Sequence, residues 1–148
     1  MLVDNKKYRL LFDLAPIGIS IVDSERNVIG ANRALEKTIR MSKADLERGY
    51  YYKRKYLDSS FNEIPRDKFP SSIALREKRT VRNVEMGILD EDGELHWALV
   101  SAAPLLSDGT LAVVITEDIN DLKKFRKNIF TVNQSLNRST KTVWKLSC

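Results

Sequence analysis

From Asn83 to Ala103 two stretches of alternating character meet at Asp90-Glu91-Asp92-Gly93. A period of two puts successive side chains on opposite faces of a strand, and an acidic run closed by glycine supplies the tight turn between two such strands. The chain is thereby committed to an antiparallel hairpin, and the rest of it must pack on that ribbon. The first arm sets Val84, Met86 and Ile88 against Asn83, Glu85 and Gly87. The second sets Trp97, Leu99, Ser101 and Ala103 against Ala98, Val100 and Ala102. Both faces of the second arm are largely apolar, so both need a cover.

The remaining strands follow the same logic. After Pro104, the turn at Ser107-Asp108-Gly109 leads into Leu111 to Thr116, where Leu111, Val113 and Ile115 oppose Ala112 and Val114. Upstream, Ile17 to Asp23 alternates, Ser24-Glu25-Arg26-Asn27 turns, and Val28 to Ala31 returns as a second hairpin. Between the hairpins, Asn32 is placed to cap a short helix through Ile39, and Ser42 to cap another that Gly49 closes. Tyr50 to Pro70 has no sustained period and reads as an irregular connector with one helical turn. Ser71 or Ser72 starts a helix bearing Ile73, Ala74 and Leu75.

Two longer helices flank this body. Tyr8, Leu11, Phe12 and Leu14 recur at helical spacing before Pro16, with Asp4 or Asn5 as the cap. From Asp118 the pattern is Leu122, Phe125, Ile129, Val132 and Leu136, a heptad seam of spacings 3, 4, 3 and 4. Asp118 is placed to cap that helix and Asp121 lies in its first turn, where the helix dipole favours an acid. Strands arranged as hairpins exclude a doubly wound parallel sheet. The expected fold is α+β: a five-stranded antiparallel sheet with small helices on one face. The other face is covered by the N-terminal helix, from the same chain or from a partner. The expected division is a flanking helix over 1–15, a core over 16–118, a C-terminal helix over 119–137 and a frayed basic tail over 138–148.

Composition narrows the class. A 148-residue chain with 43% hydrophobic and 30% charged residues supports one self-sufficient core. Its apolar runs are too short for a membrane span, and its first residues lack the features of a secretory signal, so a cytoplasmic location is expected. Residues 1–116 carry 18 basic and 17 acidic side chains, so the net charge of +5 comes mostly from the tail. Basic clusters such as Lys53-Arg54-Lys55 are interleaved with carboxylates and read as solvated surface, and nucleic acid is not the expected partner. One cysteine, Cys148, excludes an internal disulfide and a multi-cysteine zinc site within the chain.

Four segments, in this order and spacing, carry a resemblance. Ala15-Pro16-Ile17-Gly18-Ile19-Ser20-Ile21-Val22-Asp23 and Ile29-Gly30-Ala31-Asn32-Arg33-Ala34 are similar to the first two strands of PAS domains and the Asn that opens their next helix. Asp92-Gly93-Glu94-Leu95-His96-Trp97, with Val100 to Leu105, resembles the penultimate strand. Glu117-Asp118-Ile119-Asn120 resembles the Asp-Ile-Thr junction to the output helix, with Asn120 where Thr is usual. The likeness covers about residues 5–124. It implies a PAS/PAC sensor module of bacterial or archaeal signalling proteins, such as two-component systems, enclosing a small cavity and passing changes to a flanking helix.

The cofactors of such domains can be tested against the residues. A LOV-type flavin adduct needs a cysteine within the central helices, and Cys148 is the chain's only one. The usual haem histidine would lie within residues 66–79, which hold none, and no Cys-x-x-Cys-His occurs. His96, the sole histidine, reads as a partly exposed strand residue; one imidazole makes no metal site alone, and no histidine follows Asp118 to accept a phosphoryl group. Glu91 and Asp92 sit solvated in a turn. No cofactor, metal or catalytic residue is expected, and the chain is read as a binding module and not an enzyme.

Candidate pocket residues are Phe69, Ile73, Met86, Trp97, Leu99 and Ser101, although core packing would draw on the same set. Signal relay falls to Asp118, Asn120, Leu122, Phe125 and Ile129, with homodimerisation through the two flanking helices and an effector domain or partner downstream. The second reading is a ligand-free interaction and dimerisation module.

Overall fold

The computed structural model describes residues 5–105 and 109–147, with side chains from Lys6 to Arg138. It divides into two compact units, the first ending at Asp118 and the second beginning at Ile119.

The first unit opens with helix α1 (Asn5–Leu14), followed by strands β1 (Gly18–Asp23) and β2 (Val28–Ala31) and helices α2 (Arg33–Ile39) and α3 (Lys43–Glu47). A 3-10 turn (Tyr50–Lys53), strand β3 (Lys55–Leu57), a second 3-10 turn (Arg66–Lys68) and helix α4 (Pro70–Glu77) come next. Strands β4 (Val81–Leu89), β5 (Leu95–Pro104) and β6 (Leu111–Asp118) close the unit. The sheet is antiparallel with order β2-β1-β6-β5-β4-β3.

Six strands stand where five were expected. The extra one, β3, is three residues long and pairs with the outer edge of β4, with Tyr56 opposite Ile88. Three residues are too few to show a period, so the connector conceals it. Helix α4 starts at Pro70 and not at a serine, because proline at the first helical position gives up only an N–H that would have no helical partner. The Ser72 hydroxyl instead donates to the Arg66 carbonyl at 2.8 Å.

Three loops share one construction. Asp23, Asp58 and Asp90 each accept, through Oδ1, the backbone N–H groups two and four residues on. In each loop the fourth residue has positive φ: Arg26 at 69°, Phe61 at 65° and Gly93 at 81°. The carboxylate fixes the turn, and only one of the three has glycine at that position.

Both predicted caps form. Ser42 accepts from the Asp45 N–H, and Asn32 from the Leu35 N–H. Asn32 does more: fully buried, its Oδ1 also accepts from Ile19 N at 2.8 Å, while its Nδ2 donates to the Phe12 and Ile17 carbonyls at 2.8 and 2.9 Å. One side chain thus ties α1, β1 and α2 together with no bonding capacity wasted.

The core lies between the sheet and α2, α3 and α4, and includes Val22, Leu35, Leu46, Ala74, Met86, Ile88 and Val100. Each large aliphatic side chain removed from water there contributes about 1.5–3 kcal/mol. Helix α1 lies against α2, with Phe12 half-buried, but Tyr8, Leu10, Leu11 and Leu14 remain exposed. The expected seal over the outer face of the sheet is therefore incomplete within one chain, and Ile19, Ile21, Leu99, Val113 and Ile115 are half-buried there.

The second unit is one helix, α5 (Asn120–Ser147). The backbone is helical past Asn137, where the polar tail was expected to fray; no glycine or proline interrupts the run. The helix begins two residues after Asp118, which is the last residue of β6. Cys148 lies outside the described residues.

Candidate functional site

Inner-face residues of the sheet and the residues of the central helices enclose a cavity of about 100 Å³. Its floor is Ser20 and Val22 of β1, Val28 of β2, Met86 and Ile88 of β4, Val100 of β5, and Val114 and Thr116 of β6. Its roof is Leu35, Ile39, Leu46, Tyr51, Tyr52, Tyr56, Phe69, Pro70 and Ser71. No charged side chain among the described residues lines it.

Of the six pocket residues read from the sequence, Phe69 and Met86 line this cavity. Ile73 packs against the core beside it. Trp97, Leu99 and Ser101 have the opposite parity on β5 and lie on the outer face. Trp97 meets Phe61 edge-on at 5.9 Å between centroids, and the Ser101 hydroxyl accepts from Asn83 N at 2.9 Å, where β4 bulges. The physical reason is parity: the buried, inner face of β5 carries Ala98, Val100 and Ala102, and of these Val100 lines the cavity.

The tyrosine roof escaped the sequence reading because its residues sit in a segment without period. The Tyr51 and Tyr52 hydroxyls both donate to the Arg26 carbonyl, at 2.8 and 2.6 Å, and Tyr56 donates to the Tyr51 carbonyl at 2.8 Å. The Arg66 guanidinium stacks on the Tyr52 ring, 3.3 Å from its centroid. Burial pushes the Tyr51 and Tyr56 phenols well above the ordinary value, so both stay protonated and donate. The floor contains two hydroxyls, Ser20 and Thr116, each 6% exposed. Their signal in the sequence was a polar residue on the buried face of an otherwise apolar strand.

A second polar cluster braces the β4–β5 hairpin. His96 is buried and not partly exposed: its Nε2 lies 3.0 Å from Asp90 Oδ2 and 3.7 Å from Glu94 Oε2. The Asp90 carboxyl is held below the usual carboxylate range by the Glu94 backbone N–H and by His96. Glu94 also pairs with Arg40 at 3.2 Å. Glu91, expected to be merely solvated, accepts from the buried Arg54 at 3.0 and 3.2 Å and is likewise lowered. Arg54 also donates to the Ile39 and Arg40 carbonyls at the end of α2. Asp90, Glu94 and His96 offer three ligand-type atoms within 4.8 Å, each of them already partnered by protein.

The residues expected from the sequence to relay a signal divide between the units. Asp118 ends β6, and Asn120 opens α5. Leu122, Phe125, Ile129, Val132 and Leu136 are all exposed on α5, as is Phe130. No helix among the described residues is long and apolar enough to cross a membrane.

No profile of a known protein family matches the chain. Over 110 residues it is 28% identical to the sensor protein TdiS of Thauera aromatica, a match covering 74% of this chain and 20% of that protein. The chain thus spans about a fifth of the length of this curated relative. Among solved structures it is similar to a domain of a sensory box sensor histidine kinase/response regulator from Geobacter sulfurreducens, with 23% identity and a TM-score of 0.54 over 77% of this chain and 93% of that one. It is also similar to the PAS domain of a LuxR-family transcriptional regulator from Burkholderia thailandensis, in complex with ethanol, with 19% identity and a TM-score of 0.52 over 79% and 98%. Sheet order and these likenesses agree: the chain has the PAS fold.

Proposed function

We propose that this chain is a sensory module that takes up a small molecule between its sheet and central helices and relays the event through α5 to an effector domain of a signalling pathway. The observation that carries the reading is chain continuity. Val114 and Thr116 line the cavity on β6, and the same strand runs through Asp118 and Ile119 into the first residue of α5. A molecule that favours one setting of β6 over another biases the start of the helix, and by no more than its difference in affinity for the two settings. Asp118, Asn120, Leu122, Phe125 and Ile129 would transmit that bias. The similar Burkholderia thailandensis domain is in complex with ethanol, a molecule of a size that this cavity admits.

A second reading has its own support. Tyr8, Leu10, Leu11 and Leu14 on α1 and the apolar seam of α5 are exposed, which suits a dimerisation module that needs no ligand. Native mass spectrometry of the purified chain separates the two. A dimer that carries additional small-molecule mass supports the sensor, whereas a dimer at bare chain mass that stays bare in small neutral solutes supports the interaction module.

A further inference from the structure

Ser20 and Thr116 are more than nine-tenths buried, yet neither hydroxyl has a hydrogen-bond partner among the described residues. Buried hydroxyls are ordinarily paired, because leaving one dry and unpaired costs free energy. No buried side-chain polar atom among the described residues is both sealed from solvent-sized space and unpaired. The two hydroxyls are therefore not sealed from solvent-sized space, and both residues line the cavity. In the β1–β6 ladder Ser20 stands opposite Val114 and Thr116 opposite Gly18, so the two are diagonal neighbours on one face. The three tyrosine hydroxyls above have already given their protons to the Arg26 and Tyr51 carbonyls.

We infer that Ser20 and Thr116 form the polar end of a binding site for a neutral molecule of about six heavy atoms or fewer, with one hydroxyl or carbonyl group aimed at the β1–β6 floor. This rests on the proposal that the cavity is a ligand site and adds which class it takes. The size limit follows from the volume, since apolar cavities of about 150 Å³ take benzene. Neutrality follows from a lining with no charged group to offset a buried charge. The apolar remainder of the molecule lies against Val22, Met86, Val100 and Phe69.

The test compares 1-butanol with n-pentane, which have equal numbers of heavy atoms and differ by one hydroxyl, together with xenon, by NMR titration of the full chain. In the unmodified protein butanol binds within about tenfold of pentane, because its hydroxyl is met. An apolar site would favour pentane by a hundredfold or more, and that result overturns the inference. In Ser20→Ala/Thr116→Val, a nearly isosteric pair, butanol weakens about tenfold while pentane holds or strengthens; Thr116→Ser keeps butanol binding. If butanol is unchanged in the double variant, or both probes weaken together, the inference fails while the cavity remains a ligand site. If the unmodified chain binds none of the three probes, the ligand reading itself fails and takes this inference with it. The comparison of probes in the unmodified chain stands whether or not the double variant folds.

Discussion

The ring of Trp97 covers Gly87 across the β4–β5 pair, so closely that a Cβ on the glycine would lie 3.1 Å from the ring. Leu95 would be met at the same distance. An alanine would gain about 0.5–1 kcal/mol from lost chain freedom but must displace a packed aromatic, which typically costs 1–3 kcal/mol. Gly87→Ala is expected to lose about 1 kcal/mol in urea unfolding and to move the Trp97 indole resonance. The loss should shrink in a Trp97→Val background.

Asn32 makes a sharper case. Asn32→Asp keeps the acceptor for Ile19 and Leu35 but sets a carboxylate against the Phe12 and Ile17 carbonyls. A loss of about 3 kcal/mol is expected at neutral pH, from two missing donors and a buried charge. Burial raises the folded-state pKa of such a carboxyl, so the penalty grows as pH rises above the unfolded value near 4. Unfolding midpoints of variant and parent should therefore converge towards pH 3; parallel curves would contradict this account.

Acid should loosen the β4–β5 hairpin. Asp90 and Glu91 both hold their protons less tightly in the folded chain than in the unfolded one. Groups of that kind contribute stability that is present above about pH 4 and is lost as pH falls through the folded value. Asp90→Asn should lower stability at pH 7 and flatten the decline below pH 4, which chemical denaturation across that range measures directly.

On α5, the exposed seam predicts association. Leu122→Asn with Ile129→Asn should convert a dimer to a monomer in analytical ultracentrifugation, because each apolar seam position contributes by leaving water. A dimer that persists would assign the interface to α1 or the sheet.

What the sequence disclosed was whatever is written in short spacings. The hairpin at Asp90 to Gly93, the caps at Asn32 and Ser42 and the seam from Leu122 all rest on residues within a few positions of one another. The side of β5 that faces the cavity was not legible, since both faces are apolar. The larger residues, Trp97 and Leu99, drew the assignment, whereas the inward parity is that of Ala98, Val100 and Ala102, of which Val100 lines the cavity. The Tyr51–Tyr52–Arg26 contact and the pairing of His96 with Asp90 join residues through the folded backbone, and no local period announces them.

Helix α5 has 28 residues, which at about 1.5 Å each makes a rod of roughly 42 Å. With no glycine or proline to bend it, a rod of that length works as a lever. A tilt of about 10° at Asn120 would carry the Ser147 end sideways by roughly 7 Å, more than a helical turn of about 5.4 Å. Displacements too small to notice in a strand become, at that distance, large enough to change which surfaces meet.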